Sequence, residues 1–181
     1  MTAPRPLLFL DIDGVLCLSN PYGGLALKTQ PKGIWDLLFA RHAVDVLNLV
    51  MREHAPQVVI TSSWLSFLEH GAFDKVFRKT GLSLVADGLH PAWEAPQNAN
   101  ETRCAAIDRW FQEYGWPGEP YVILDDMESG TGLKRSYHDY RGRVVFCDEG
   151  VGLSVENWLQ ISLCLDTVPA PRDGFSSGPK P

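Results

Sequence analysis

The strongest constraint that this chain places on its fold is a set of short apolar runs, each stopping abruptly at polar residues. Leu7 to Leu10 ends in Asp11 and Asp13 with Gly14 behind them, and Val58 to Ile60 ends in Thr61, Ser62 and Ser63. Tyr121 to Leu124 ends in Asp125 and Asp126, and Val144 to Phe146 stops near Asp148. Unbroken runs of this length, rich in β-branched and aliphatic residues, read as strands buried on both faces. Between them the spacing turns helical. Strands alternating with helices at these intervals predict parallel β-α-β units, hence a three-layer, Rossmann-like α/β domain with helices on both faces of the sheet.

The helices are read from periodicity. Ile34, Leu37, Leu38, Val44, Leu47, Val50 and Met51 recur mostly at three or four, interrupted by Arg41, and predict one helix ending near Pro56. A mixed pattern predicts a helix over Trp64 to Lys79 that stops at Gly81, with Leu82 to Ala86 as a further strand. The stretch from Asp87 to Asn100 reads as turns. Ile107, Trp110, Phe111 and Tyr114 then fall on one helical face, with Asn100 as N-cap. A last helix follows Ser154 and turns Trp158, Ile161, Ser162 and Leu165 inward. Pro21, Gly23, Gly24 and Pro31 make 17–33 a loop or flap.

A length of 181 residues suits a single hydrophobic core. We expect one domain over 1–166 and a disordered Pro/Gly/Ser-rich tail over 167–181, which has little to bury. The 16 basic and 22 acidic residues give a net charge of -6 and no bulk attraction to nucleic acid or anionic lipid. Cysteines 17, 104, 147 and 164 form no C-x-x-C pair, so neither a zinc cluster nor a disulfide framework is indicated. No run approaches the length of a membrane span or of a signal peptide's apolar core, so the expected location is the cytoplasm, without a membrane partner. Histidines 42, 54, 70, 90 and 138 show no ligand spacing and receive no role.

Ligands of a parallel sheet bind beyond the carboxyl ends of its strands, which singles out Asp11 with Asp13, Thr61 with Ser62, and Asp125 with Asp126. Either acidic pair alone fits a polar turn equally well. A calcium loop of the EF-hand type is excluded, because position 22 holds Tyr where that loop needs Glu. Three or four carboxylates in one crevice repel one another unless a cation neutralises them, and hard oxygen ligands suit Mg2+.

The ordered set Leu8-Phe-Leu-Asp11-Ile-Asp13-Gly-Val-Leu16, Val58-Val-Ile-Thr61-Ser-Ser-Trp64, a basic residue at a helix start, and Val122-Ile-Leu-Asp125-Asp126 resembles the haloacid dehalogenase (HAD) superfamily. Together with Gly152-Leu-Ser154 it is most similar to the HAD domain of Swiss Army Knife RNA repair proteins. The resemblance spans 7 to about 165. It implies a Mg2+-dependent phosphohydrolase, a phosphomonoesterase working through an aspartyl-phosphate. Asp11 would be the nucleophile and Asp13 the acid and base. Magnesium would be held by the Asp11 carboxylate, the Asp13 backbone carbonyl and Asp125, with Asp126 either a further ligand or a support for the others.

By the same resemblance Thr61, helped by backbone N–H groups near Ser62, would bind the phosphoryl group. A helix N-cap fits Thr61 as well. Where the family carries a lysine, the best-placed residue here is Arg103, with Lys75 and Lys79 as alternatives. Asp at position 13 favours phosphatase over dehalogenase or ion-pump chemistry. Neither 17–33 nor 87–100 is long enough for a large cap domain, so the HAD-like core should leave its site open. An open site suits a macromolecular phosphate such as a nucleic-acid end. Net charge and the lack of a basic cluster beyond Lys134-Arg135 and Arg141-Gly-Arg143 make nucleic acid the less favoured partner, and Tyr22, Trp64 and Trp93, which could stack a base, read first as packing. A non-catalytic HAD-like interaction module, hinted at by Arg103, and a phosphotransferase with the same intermediate are the alternatives. Oligomeric state is not legible.

Overall fold

The computed structural model describes residues 5–166. The expected disordered tail, 167–181, lies outside the described residues. Five parallel strands form one sheet: β1 (Leu7–Leu10), β2 (Gln57–Ile60), β3 (Leu89–Glu94), β4 (Tyr121–Asp126) and β5 (Val144–Cys147), in the order β3-β2-β1-β4-β5. The helices are α1 (Ala26–Thr29), α2 (Ile34–Leu37), α3 (Arg41–His54), α4 (His70–Lys79), α5 (Ser83–Asp87), α6 (Arg103–Tyr114), α7 (Tyr137–Tyr140) and α8 (Val155–Leu165), with a 3-10 turn over Ser63–Ser66.

β1 lies at the centre, pairing Leu10 with Ile60 of β2 on one side and with Leu124 of β4 on the other. The chain winds outward from β1 through β2 to β3, then crosses back to β4. Loops leaving β1 and β4 therefore diverge, which opens a crevice at the carboxyl ends of the two strands. Alternate residues of each strand enter different cores, as the period of a strand requires. Leu8, Leu10, Val58, Ile60, Val122 and Leu124 pack with residues of α3, α4, α5 and α8, whereas Leu7, Phe9, Val59 and Ile123 pack with Ile107 and Trp110 of α6. This is the expected three-layer α/β architecture.

The helix that begins with Arg103 is fixed along its length. The Phe9 and Trp110 rings meet edge to face at 5.2 Å, and the Trp110 indole N–H donates to the Ala92 carbonyl of β3 at 2.8 Å. Burying a side chain as large as Phe stabilises by roughly 1.5–3 kcal/mol, so α6 is anchored independently of any ligand. At its other end Thr102, not Asn100, is the N-cap, its hydroxyl accepting from the Ala105 N–H at 3.2 Å.

Several elements differ from the sequence reading. Leu82 to Ala86 is not a strand but largely α5, and the place beside β2 is taken by β3, inside the stretch read as turns. An edge strand tolerates Pro91, because one side of its backbone has no ladder to make. The helix expected from Ile34 to Met51 is two helices, since Ala40 is extended (φ -62°, ψ 124°) and its N–H donates to the Leu16 carbonyl. The helix expected from Trp64 divides into the 3-10 turn and α4. In α8, Cys164 joins the buried face, and Trp158 is only half-buried, its N–H reaching Glu53. Over 17–33 the chain forms only the single turn of α1, and among the described residues no large cap covers the crevice. Among the described residues no helix is long and apolar enough to cross a membrane.

Candidate active site

Asp11 follows β1 directly, and its N–H continues the ladder to the Leu124 carbonyl at 3.0 Å. The chain then turns sharply, with the N–H groups of Leu16 and Cys17 both returning to the Ile12 carbonyl. Gly14 makes this turn possible. Its φ is +69°, and a Cβ there would lie 2.9 Å from the Asp126 Cβ, so the two acidic strand ends approach as closely as they do because position 14 has no side chain.

Carboxylate oxygens of Asp11, Asp125 and Asp126 lie within 4.8 Å of one another, and all three residues are buried. Asp13 is not in that set, so the contact left to it in the metal set implied by the resemblance is its backbone carbonyl. The Asp125 Oδ1 accepts from the Asp126 N–H at 3.0 Å, while its Oδ2 lies on the side of Arg103. The Asp126 Oδ1 accepts from the N–H groups of Glu128 and Ser129 at 2.7 and 2.9 Å, which shapes the loop after β4.

Arg103 opens α6 and is 2% exposed. Its Nη1 stands 3.2 Å from the Asp11 Oδ1 and 3.4 Å from the Asp125 Oδ2, and its Nε donates to the Gln97 Oε1 at 3.1 Å. Lys75 and Lys79 are both exposed, and the Lys79 ammonium lies over the Trp35 ring. Among the described residues, Arg103 is thus the cation that the fold brings to the carboxylates.

Thr61 continues β2, its N–H donating to the Leu10 carbonyl at 3.0 Å. The N-cap of the 3-10 turn is Ser62, whose Oγ accepts from the Trp64 N–H at 3.3 Å. Thr61 is therefore not the cap. Among the described residues, five buried side-chain atoms have no hydrogen-bond partner: Asp11 Oδ1 and Oδ2, Thr61 Oγ1, Arg103 Nη1 and Asp125 Oδ2. Arg103 Nη1 is at ion-pair distance of two carboxylates yet aligned for a hydrogen bond with neither.

The electrostatics follow from this crowding. Burial drives the Asp11 carboxyl above its usual range, opposed by the neighbouring Arg103 guanidinium. Burial, then the Asp11 charge, pushes the Asp125 carboxyl up to about 8, again opposed by Arg103. With all three carboxyl groups ionised, the one guanidinium leaves two negative charges over, which is the charge of one divalent cation; without a cation the crowding favours protonation instead.

Asp13, half-buried beside this cluster, is held on one oxygen. Its Oδ2 accepts from the Trp64 indole N–H at 3.0 Å and from the Ser63 hydroxyl at 3.2 Å. Trp64 is 1% exposed and cannot stack an incoming base; Trp93 packs on Phe73, and the Tyr22 hydroxyl donates to the Lys32 carbonyl. Sequence reasoning missed the Trp64 and Gln97 contacts, which join segments with no shared periodicity. It also missed a cluster of Cys104, Asp108 and His138, where the His138 Nε2 meets Asp108 and the Nδ1 meets the Tyr121 hydroxyl. Cys17, Cys104, Cys147 and Cys164 form no disulfide with one another.

The model of one protein family, described as the HAD domain in Swiss Army Knife RNA repair proteins, matches residues 7–158. No curated protein and no solved structure matches the chain.

Proposed function

Because this chain belongs to the family of HAD domains in Swiss Army Knife RNA repair proteins, we propose that it is a Mg2+-dependent phosphomonoesterase in which Asp11 is the nucleophile and Asp13 the general acid and base. One observation carries the reading: the five unpartnered buried atoms of Asp11, Thr61, Arg103 and Asp125. Each buried group left without a partner costs about 1–3 kcal/mol, a penalty that a bound cation and phosphoryl group would remove together.

The donor set fits Mg2+, since it consists of hard oxygens that carry two uncompensated negative charges once all three carboxyl groups are ionised. The carboxylates of Asp11, Asp125 and Asp126 and the backbone carbonyl of Asp13 would hold it. When bound, the ion supplies neutralisation of the negative charge that gathers on the phosphoryl oxygens.

The remaining work falls to the side chains. Thr61 Oγ1 and Arg103 Nη1 hold phosphoryl oxygens, and the guanidinium, with the bound cation, would offset the burial that otherwise favours a protonated Asp11. An Asp11 carboxylate oxygen attacks phosphorus as the bond to the ester oxygen breaks, and Asp13 gives its proton to that leaving oxygen. Asp13, now ionised, takes a proton from water. The water oxygen attacks phosphorus, the bond to Asp11 breaks, and phosphate leaves with both carboxyl groups restored to their starting states. The absence of a large cap admits a phosphate on a macromolecule, and the family's description points to a nucleic-acid end as the first to examine. Phosphate release from an aryl phosphate tests the activity: it should require Mg2+, stop in chelator and be lost in Asp11→Asn. Release that persisted in Asp11→Asn would overturn the reading.

A further inference from the structure

Resting on the reading of Asp13 as acid and base, we propose that Trp64 and Ser63 are positioning residues that aim the Asp13 carboxyl group, and that Gly24 in the 17–33 loop seats the indole that does so.

Both donors bind the same oxygen. Trp64 Nε1 and Ser63 Oγ reach Asp13 Oδ2 at 3.0 and 3.2 Å, which leaves Oδ1 to carry the proton that passes to the leaving group and is later regained from water. An indole N–H donates and cannot accept, so it defines which carboxyl oxygen is anchored in either protonation state. A carboxyl group free to rotate would present the wrong oxygen for part of the time, and general acid catalysis depends on that geometry.

The indole is itself fixed. It is 1% exposed and packs on the Phe39 and Phe67 rings at centroid distances of 6.0 and 5.9 Å. Its polar edge faces the backbone of Gly24, where a Cβ would fall 2.7 Å from Cε2 and 2.9 Å from Nε1. Only glycine allows the loop to approach this closely. An alanine there displaces either the loop or the indole, without touching Asp13 or Trp64 chemically.

Leaving-group dependence separates aim from mere stability. The value of kcat/KM reports steps up to transfer onto Asp11, and dinitrophenyl phosphate needs no protonation there whereas phenyl phosphate does. Trp64→Phe and Gly24→Ala should lose little kcat/KM on dinitrophenyl phosphate but about tenfold or more on phenyl phosphate, in the direction of Asp13→Asn, whose loss as a general acid should be of order a hundredfold. Ser63→Ala should follow with a smaller difference. Circular dichroism establishes that each variant is folded. If the wild type releases phosphate from neither ester in Mg2+, the phosphatase reading fails and this inference with it. If wild type and Asp13→Asn show the leaving-group pattern while Trp64→Phe and Gly24→Ala lose equally on both esters, or on neither, the positioning role alone is overturned.

Discussion

Arg103 Nη1 stands 3.2 Å from Asp11 Oδ1 in a setting where both side chains are almost wholly excluded from water. A solvated arginine at a helix start is removable at little structural cost; this one is not. Arg103→Ala should depress turnover about a hundredfold, the scale of a lost preorganised cation. Because it also strands buried carboxylates, the metal-free protein should lose about 3–5 kcal/mol of stability. Arg103→Lys should recover part of both, and Lys75→Ala and Lys79→Ala should turn over normally. Phosphate release and thermal melts of the four variants check this.

Thr61→Val should separate function from stability. The Thr61 hydroxyl is buried without a hydrogen-bond partner among the described residues, so removing it should leave the melting temperature unchanged or slightly raised. Turnover should fall about tenfold, the value of one hydrogen bond to a charged group. A large drop in melting temperature would show that the hydroxyl serves the fold.

Asp125→Asn should trade metal binding for stability. Burial and the Asp11 charge make the Asp125 carboxylate costly in the metal-free protein, so the amide should melt at or above the wild type without Mg2+. At a hundredfold excess over its dissociation constant, Mg2+ should add about 2.7 kcal/mol to the wild type and much less to the variant. Melts with and without Mg2+ give both numbers.

Gly14→Ala should damage the metal cluster through the backbone. A non-glycine residue at φ +69° costs about 1–3 kcal/mol, and the added Cβ pushes on Asp126. The variant should melt lower and bind Mg2+ more weakly, as a calorimetric titration would show.

Much of this molecule is legible in its sequence for a physical reason. Strands β1, β2, β4 and β5 are buried deeply enough to be written as apolar runs, and their polar ends mark the crevice, so Asp11, Asp13, Thr61, Asp125 and Asp126 are found together. Edge strand β3 is only half-buried and carries His90 and Pro91, so it has no such run. Leu82 to Ala86 is apolar throughout, and so short a run has no period to distinguish helix from strand. Arg103 is visible only as a basic residue at a helix start; its burial depends on Gln97 and the strand ends around it. The bond from Trp64 to Asp13 joins side chains 51 positions apart and leaves no local trace.

Transfer of phosphorus to Asp11, as proposed, leaves an acyl phosphate that can be trapped. Mixing Asp13→Asn with an aryl phosphate and Mg2+, quenching in acid and reducing with borohydride should convert the phosphorylated aspartate to homoserine, read by peptide mass spectrometry. Homoserine at position 11, absent without substrate and absent when Asp11 is also replaced by Asn, is the expected result. Phosphate release by the wild type with an unmodified Asp11 peptide in every quenched sample would contradict the account.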